Sequence, residues 1–210
     1  MMNTDSNARR RTMTEKNRFE ELFDGELAEG WTWMWEAAEA WRVGDGVLHV
    51  RALPGTLWGD QDNAHNILIR PETSVVAGLT SEVSVVNQPV LQGEQAGLIW
   101  FIDESNYIKL IKECLAGSEW IVLAREENGE ATLANKIPIE TASARLRLSF
   151  TDGKMIGERM ADNEETWQIV GECAALVDTT VHLGIYTHGG PEEEEHWAEL
   201  SQFCSYVTEA

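Results

Sequence analysis

The chain has 210 residues, 43% of them hydrophobic, and sets 36 acidic against 16 basic side chains for a formal net charge of −20. That length and apolar content suit one β-rich domain with a substantial core. A field of that sign repels nucleic acid and anionic lipid, and no apolar stretch reaches transmembrane length, so neither nucleic acid binding nor membrane insertion is expected.

Residues 1–18 reverse the charge balance: Arg9, Arg10, Arg11, Lys16 and Arg18 stand against only Asp5 and Glu15. Lacking apolar periodicity, this stretch reads as a disordered basic arm ahead of a single domain over 19–207. No apolar segment follows the arginines, so it is neither a Sec nor a twin-arginine leader, and the expectation is a cytoplasmic protein or a mature form without its leader. Cys114, Cys173 and Cys204 are odd in number and widely spaced. That argues against a disulfide framework and against a clustered zinc site.

Along the chain, Asp24-Gly25 turns the segment 19–23 toward a strand over 31–36. Period two puts Trp31, Trp33 and Trp35 on one face, to cap the core edge or to serve as a sugar platform. Gly44-Asp45-Gly46 then turns 41–43 into 47–52, where Leu48 and Val50 alternate with His49 and Arg51. Pro54-Gly55 ends that strand, and Leu57-Trp58-Gly59-Asp60 reads as a loop able to overhang a sheet. Strands over 66–70 and 79–86 follow, with Glu82 on the solvent-facing side of the second.

The stretch QAGLIWFIDESNYIKLIK, 95–112, reads as a β-hairpin turning through 103–106. Pairing across that turn sets Phe101 against Ile108 and Ile99 against Leu110 on a core face. Trp100, Lys109, Ile102 and Tyr107 then face outward. A strand over 119–124 pairs back onto it with Trp120 opposite Ile111, on the same outward face. Strands over 144–150, 154–159, 167–170, 181–187 and 199–207 complete the series, and 173–178 reads as a short turn or helix. Leu146, Leu148, Leu183 and Ile185 are assigned to the core. The acidic run 192–195 after Pro191 is a solvated loop or, alternatively, a cation-binding rim. Short strands with regular turn signals and no long amphipathic helix specify an all-β, antiparallel two-sheet jelly-roll sandwich.

The ordered pieces Trp41-Arg42-Val43 with Asp45-Gly46-Val47-Leu48, the run 66–70, Glu94–Ile99 with 106–110, Leu146-Arg147-Leu148, Leu183-Gly184-Ile185-Tyr186 and the closing run 198–203 resemble the concanavalin A-like superfamily. Within it the chain resembles the C-terminal β-sandwich domain of family 43 β-xylosidases and the uncharacterised "regulation of enolase" type domains. The resemblance implies a two-sheet jelly roll with one concave face, often linked to carbohydrate, and gives Asn66 a structural place at a strand start. No catalytic propeller is read ahead of this domain, so the hydrolase context is not inherited with the fold.

Retaining glycosidases need two carboxylates about 5–5.5 Å apart, and no strand here alternates acids in that way. His182, His188 and His196 could in principle converge on a metal, but His182 and His188, six residues apart on one strand extension, lie too far from each other to share one ion. No cofactor is expected; a structural Ca²⁺ of the kind common in jelly rolls has no ligands that the sequence locates. The site expected is an aromatic, outward sheet face of Trp100, Tyr107, Lys109 and Trp120, overhung by Trp58 and joined by Arg145, Arg147 and Tyr186 if their strands share the sheet. Pyranose rings stack on such surfaces, so the expected function is non-catalytic carbohydrate binding, with a carbohydrate or other small ligand as partner. A homo-oligomeric or protein-interaction sandwich is the alternative, and a glycoside hydrolase-related enzyme with an unrecognised site is the second.

Overall fold

A computed structural model describes residues 14–162, 164–176 and 180–209. Four strands come first, β1 (Thr14–Glu21), β2 (Thr32–Met34), β3 (Trp41–Gly44) and β4 (Val47–Arg51), with one turn of 3₁₀ helix at Ala38–Ala40. A small hairpin of β5 (Leu57–Trp58) and β6 (Gln61–Asp62) follows, then β7 (Ile67–Ile69), β8 (Thr73–Ser74) and β9 (Leu79–Val86). The longer strands are β10 (Gln95–Asp103), β11 (Asn106–Leu115), β12 (Ser118–Glu127), β13 (Glu130–Pro138) and β14 (Ser143–Thr151). The series ends with β15 (Lys154–Ala161), β16 (Gln168–Ala174), β17 (Thr180–His188) and β18 (Trp197–Glu209).

Sixteen of these make two antiparallel sheets of eight strands, and β5 with β6 forms a separate two-stranded sheet. The back sheet runs β16-β15-β14-β9-β18-β4-β3, with β1 also on β18. The front sheet runs β13-β12-β11-β10-β17-β7-β2, with β8 also on β17. The all-β sandwich expected from the strand spacing is what the chain forms. The tight hairpins use residue pairs with positive φ, among them Ala116-Gly117 and Asp152-Gly153. A two-residue turn needs that handedness to match the strand twist. No helix among the described residues is long and apolar enough to cross a membrane.

The expected basic arm ends earlier than its composition suggests. Thr14 to Arg18 belong to β1, where Lys16 pairs with Val207 and its ammonium lies 2.6 Å from the Glu209 carboxylate. Arg18 finds Glu15 and Glu20. The basic side chains are thus neutralised along a strand, and Arg9, Arg10 and Arg11 lie outside the described residues.

Between the sheets lies the main core, with Leu98, Trp100, Ile108 and Leu110 from the front meeting Val83, Leu146, Leu148 and Phe203 from the back. Leu183 and Ile185 join it as expected. Ile99 and Phe101 do not. The turn does set Asp103 opposite Asn106, but a bulge at Ile102 takes up one residue, and the ladder continues with Phe101 opposite Tyr107 and Trp100 opposite Ile108. Every side chain of β10 beyond the bulge therefore changes face. Trp100 points into the main core, donating Nε1–H to Ser81 Oγ at 2.8 Å, and Ile102 packs there too. Trp120 lies opposite Glu113 rather than Ile111, because the next turn is only two residues long; the two-step shift keeps it on the outward face.

Two further expectations change. Trp31 and Trp33 pack on the main core, but Trp35 has φ 49° and is turned to the other side of the front sheet against Phe101. Glu82 is buried rather than solvent-facing, clasped by Arg145 and Arg147 at 2.7 and 2.8 Å and accepting the Tyr206 hydroxyl. Asn66 is structural: with φ 54°, its amide exchanges two hydrogen bonds with the Ala37 backbone.

Lys112, fully buried, ties the sheets at one end. Its Nζ donates to the carbonyls of Asn87 (2.5 Å) and Ala142 (3.0 Å), next to β9 and β14, and pairs with Glu119. Burial lowers its pKa, with Glu119 opposing.

Replacing Leu110 by Ala is expected to cost about 2–5 kcal/mol through lost burial and the cavity left. At Gly97, an added Cβ would lie 2.4 Å from the Leu110 carbonyl oxygen and 2.9 Å from Ile111 Cα. These backbone atoms cannot swing aside, so Gly97→Ala is expected to destabilise by about 1–3 kcal/mol or more despite adding apolar surface. Urea unfolding measures both, and a neutral Gly97→Ala would contradict this ladder.

Candidate functional site

The face of the front sheet turned away from the back sheet is laid out by register. His188, Gln95, Glu113 and Trp120 share one row across β17, β10, β11 and β12. Tyr186, Gly97, Ile111 and Val122 form the next, and Gly184, Ile99, Lys109 and Ala124 the third. A fourth holds His182, Phe101, Tyr107 and Glu126. The middle of this grid is apolar and makes a second core with Leu57, Ala64 and Ile67.

The β5–β6 hairpin lies over the lower rows as a flap. Leu57 is fully buried, and its carbonyl accepts Lys109 Nζ at 3.0 Å. Glu126 accepts the Gly59 amide at 2.9 Å and the Tyr107 hydroxyl at 2.5 Å, which also lies 2.7 Å from the Leu57 carbonyl. Trp58 remains 39% exposed, with the Lys109 ammonium 5.0 Å from its ring centre. Between the flap, Gln92-Gly93 and strands β11 to β13 opens a cleft of about 660 Å³. Trp58 and Leu133 wall it, Asp60 and Gln61 rim it, and Gln95, Lys109 and Glu113 supply polar groups.

Burial governs the electrostatics. It brings the Lys109 pKa from 10.5 down to about 8, against the pull of Glu113 and Glu126. It raises Glu113, opposed by Lys109 and Lys136, and raises Tyr107, reinforced by Glu126. His188 is pushed well below its usual range by burial and by Lys109, so it is neutral. Neither of its ring nitrogens makes a hydrogen bond of good geometry, although the Gly55 carbonyl favours the protonated form.

Glu113 and Glu126 are six register steps apart, since Glu126 faces Tyr107. At about 3.3 Å per residue their backbones are separated by roughly 20 Å, well beyond the spacing that glycoside hydrolysis requires. His182 is bonded at the Arg70 carbonyl and His196 at Glu94, so the three histidines do not converge. Among the described residues no three His, Cys, Asp or Glu side chains form a metal-holding group.

A family model of the β-xylosidase C-terminal concanavalin A-like domain matches residues 19–205. The chain belongs to this family. The GH43 protein BlXynB of Bacillus licheniformis superposes on it with a TM-score of 0.75 at 18% identity, over 90% of this chain and 39% of that one. A xylan β-1,4-xylosidase from Bacillus halodurans gives 0.72 at 17% identity, over 90% of this chain and 38% of its own. The chain therefore spans well under half the length of these two proteins. A functionally unknown protein from Saccharomyces cerevisiae gives 0.73 at 17% identity, over 86% of this chain and 98% of its own. At such identities the likeness is one of fold. No curated protein sequence matches the chain significantly.

Within this GH43-related domain, Trp58, Tyr107, Lys109 and Trp120 share the outward face, Trp120 carrying Lys136 over its ring at 4.1 Å. Tyr107 and Lys109 are buried beneath the flap rather than open to solvent, and Tyr186, on the same face, is buried too, donating to Gln95 at 2.6 Å. Trp100 does not belong there, because the bulge turns it inward. Arg145 and Arg147 sit on β14 of the back sheet, on its far side, with Arg147 stacked 3.8 Å from the Trp167 ring centre. Gln95, Glu113, Glu126 and His188 are the polar groups missed. Alternation from Tyr107 through Lys109 leads directly to Glu113, but nothing in the sequence signals Glu126 beneath a flap.

The Lys109 shift has a definite sign. Between about 8 and 10.5 the unfolded chain holds a proton at this lysine that the folded chain has released, so its contribution to stability rises with pH across that window and its full cost is felt below it. Unfolding free energies of the wild type and Lys109→Met, compared across the window, should shift in favour of the wild type as pH increases. A pH-independent difference would place this lysine in water.

Proposed function

We propose that this domain is a non-catalytic carbohydrate-binding module whose site is the cleft under the β5–β6 flap. The observation that carries this reading is the half-exposed Trp58 standing over a recessed polar floor of Lys109, Gln95 and Glu113. A flat ring stacks on the apolar face of a pyranose, while fixed polar groups sort its hydroxyls. Family membership supports a carbohydrate context. The three free cysteines suit a reducing compartment, so the reading includes a cytoplasmic location.

A glycan array followed by tryptophan fluorescence titration tests this. At least one glycan is expected to bind, with Trp58→Ala weakening it about tenfold, the scale of one lost stacking contact, and the unfolding midpoint nearly unchanged because the ring is partly exposed. Absence of any glycan response, with light scattering at twice the chain mass that is abolished by Trp58→Ala, would favour a dimer contact instead.

A further inference from the structure

The row His188, Gln95, Glu113 says more about what the cleft accepts. Glu113 is 9% exposed, and its Oε1 accepts Gln95 Nε2–H at 3.1 Å. The same Gln95 nitrogen donates to the Gly93 carbonyl at 3.0 Å, while Gln95 Oε1 accepts the Tyr186 hydroxyl at 2.6 Å. The amide is used at both ends and cannot flip without setting its oxygen against the Glu113 carboxylate and the Gly93 carbonyl, acceptor against acceptor. Tyr186 therefore fixes Gln95, and Gln95 fixes Glu113 at the cleft wall. Among the described residues lining the cleft, Lys109 is the cation, and it is already committed to the Leu57 carbonyl beneath Trp58. Asp60 adds a second acid at the rim.

Resting on the carbohydrate reading, we infer that the cleft selects a neutral saccharide donating adjacent hydroxyls and rejects sugar acids, with Glu113 as the selecting residue and Tyr186 as its positioning residue through Gln95. A held carboxylate is a strong acceptor for hydroxyl donors. A uronate in the same place would set two like charges together out of water, and the cations nearest them, Lys109 and Lys136, already act on Glu113. The net charge of −20 adds a weaker, long-range bias in the same direction.

The test uses matched pairs, mannotetraose with tetramannuronate and cellotetraose with its C6-oxidised counterpart, titrated by tryptophan fluorescence and calorimetry. About 1 M salt screens the long-range field and leaves the local term. The neutral member of a pair is expected to bind at least about 100-fold more tightly, and Glu113→Gln to weaken neutral binding about tenfold and narrow that ratio. Tyr186→Phe should narrow it as well, which a purely structural tyrosine would not do even if stability fell. Equal affinity for a neutral glycan and its acid, or an unchanged ratio in Glu113→Gln, overturns the inference while leaving carbohydrate binding intact. If Glu113→Gln does not fold, the wild-type ratio alone decides. If neither neutral probe binds, the inference falls, and an empty glycan array would then show that the carbohydrate reading falls with it.

Discussion

Burial of the front sheet on both faces is the constraint from which the rest of this molecule follows. One face meets the back sheet, and the other meets the flap and the second core around Leu57, Ile67 and Phe101. Strands enclosed in this way read as nearly continuous apolar runs, and β10 does so from Ala96 to Ile102. Glycine at position 97 is the counterpart, since the Leu110 carbonyl comes too close there for any side chain.

Enclosure also sets the character of the candidate site. Groups that would be ordinary surface residues on an open sheet, such as Lys109, Glu113 and Glu126, are removed from water and must answer one another or the backbone. The flap is held less by apolar contact at its tip than by three polar ties, from Lys109 and Tyr107 to Leu57 and from Gly59 to Glu126. Leu57 supplies the apolar anchor and leaves Trp58 as the part of the flap that meets solvent. Rigidity of the floor and accessibility of the wall thus come from adjacent residues of one short hairpin.

The fold class was legible because hairpin turns such as Asp152-Gly153 and one-sided strands such as β14 carry strong local signals, Leu146 and Leu148 facing in while Arg145 and Arg147 face out. The same rule failed on β10 for a physical reason. Alternation reports register only where one face is polar, and on β10 both faces are apolar, so nothing marks the single bulge at Ile102 and alternation alone puts Trp100 on the wrong side. On β11, Tyr107 and Lys109 were placed correctly because the turn and the bulge left their strand undisturbed. Grouping residues from distant segments was out of reach: Arg145 and Arg147 resemble binding residues by type, and only the strand order puts them on the far side of the molecule.

The position of β18 bears on how the chain is made. This strand, last in sequence, runs through the middle of the back sheet, with β9 along one edge and β4 and then β1 along the other. During synthesis, β1, β4 and β9 have all left the ribosome before the segment that joins them exists. Three unpaired strand edges must wait, each able to recruit a neighbouring chain. The back sheet is therefore completed only after translation has passed Glu209, whereas the meander from β10 to β13 has its partners in hand as it emerges. The front sheet waits in part as well, since β8 and one edge each of β7 and β10 stay unpaired until β17 emerges between them. The β10 to β13 meander is thus the portion of the fold that needs least shelter on the nascent chain.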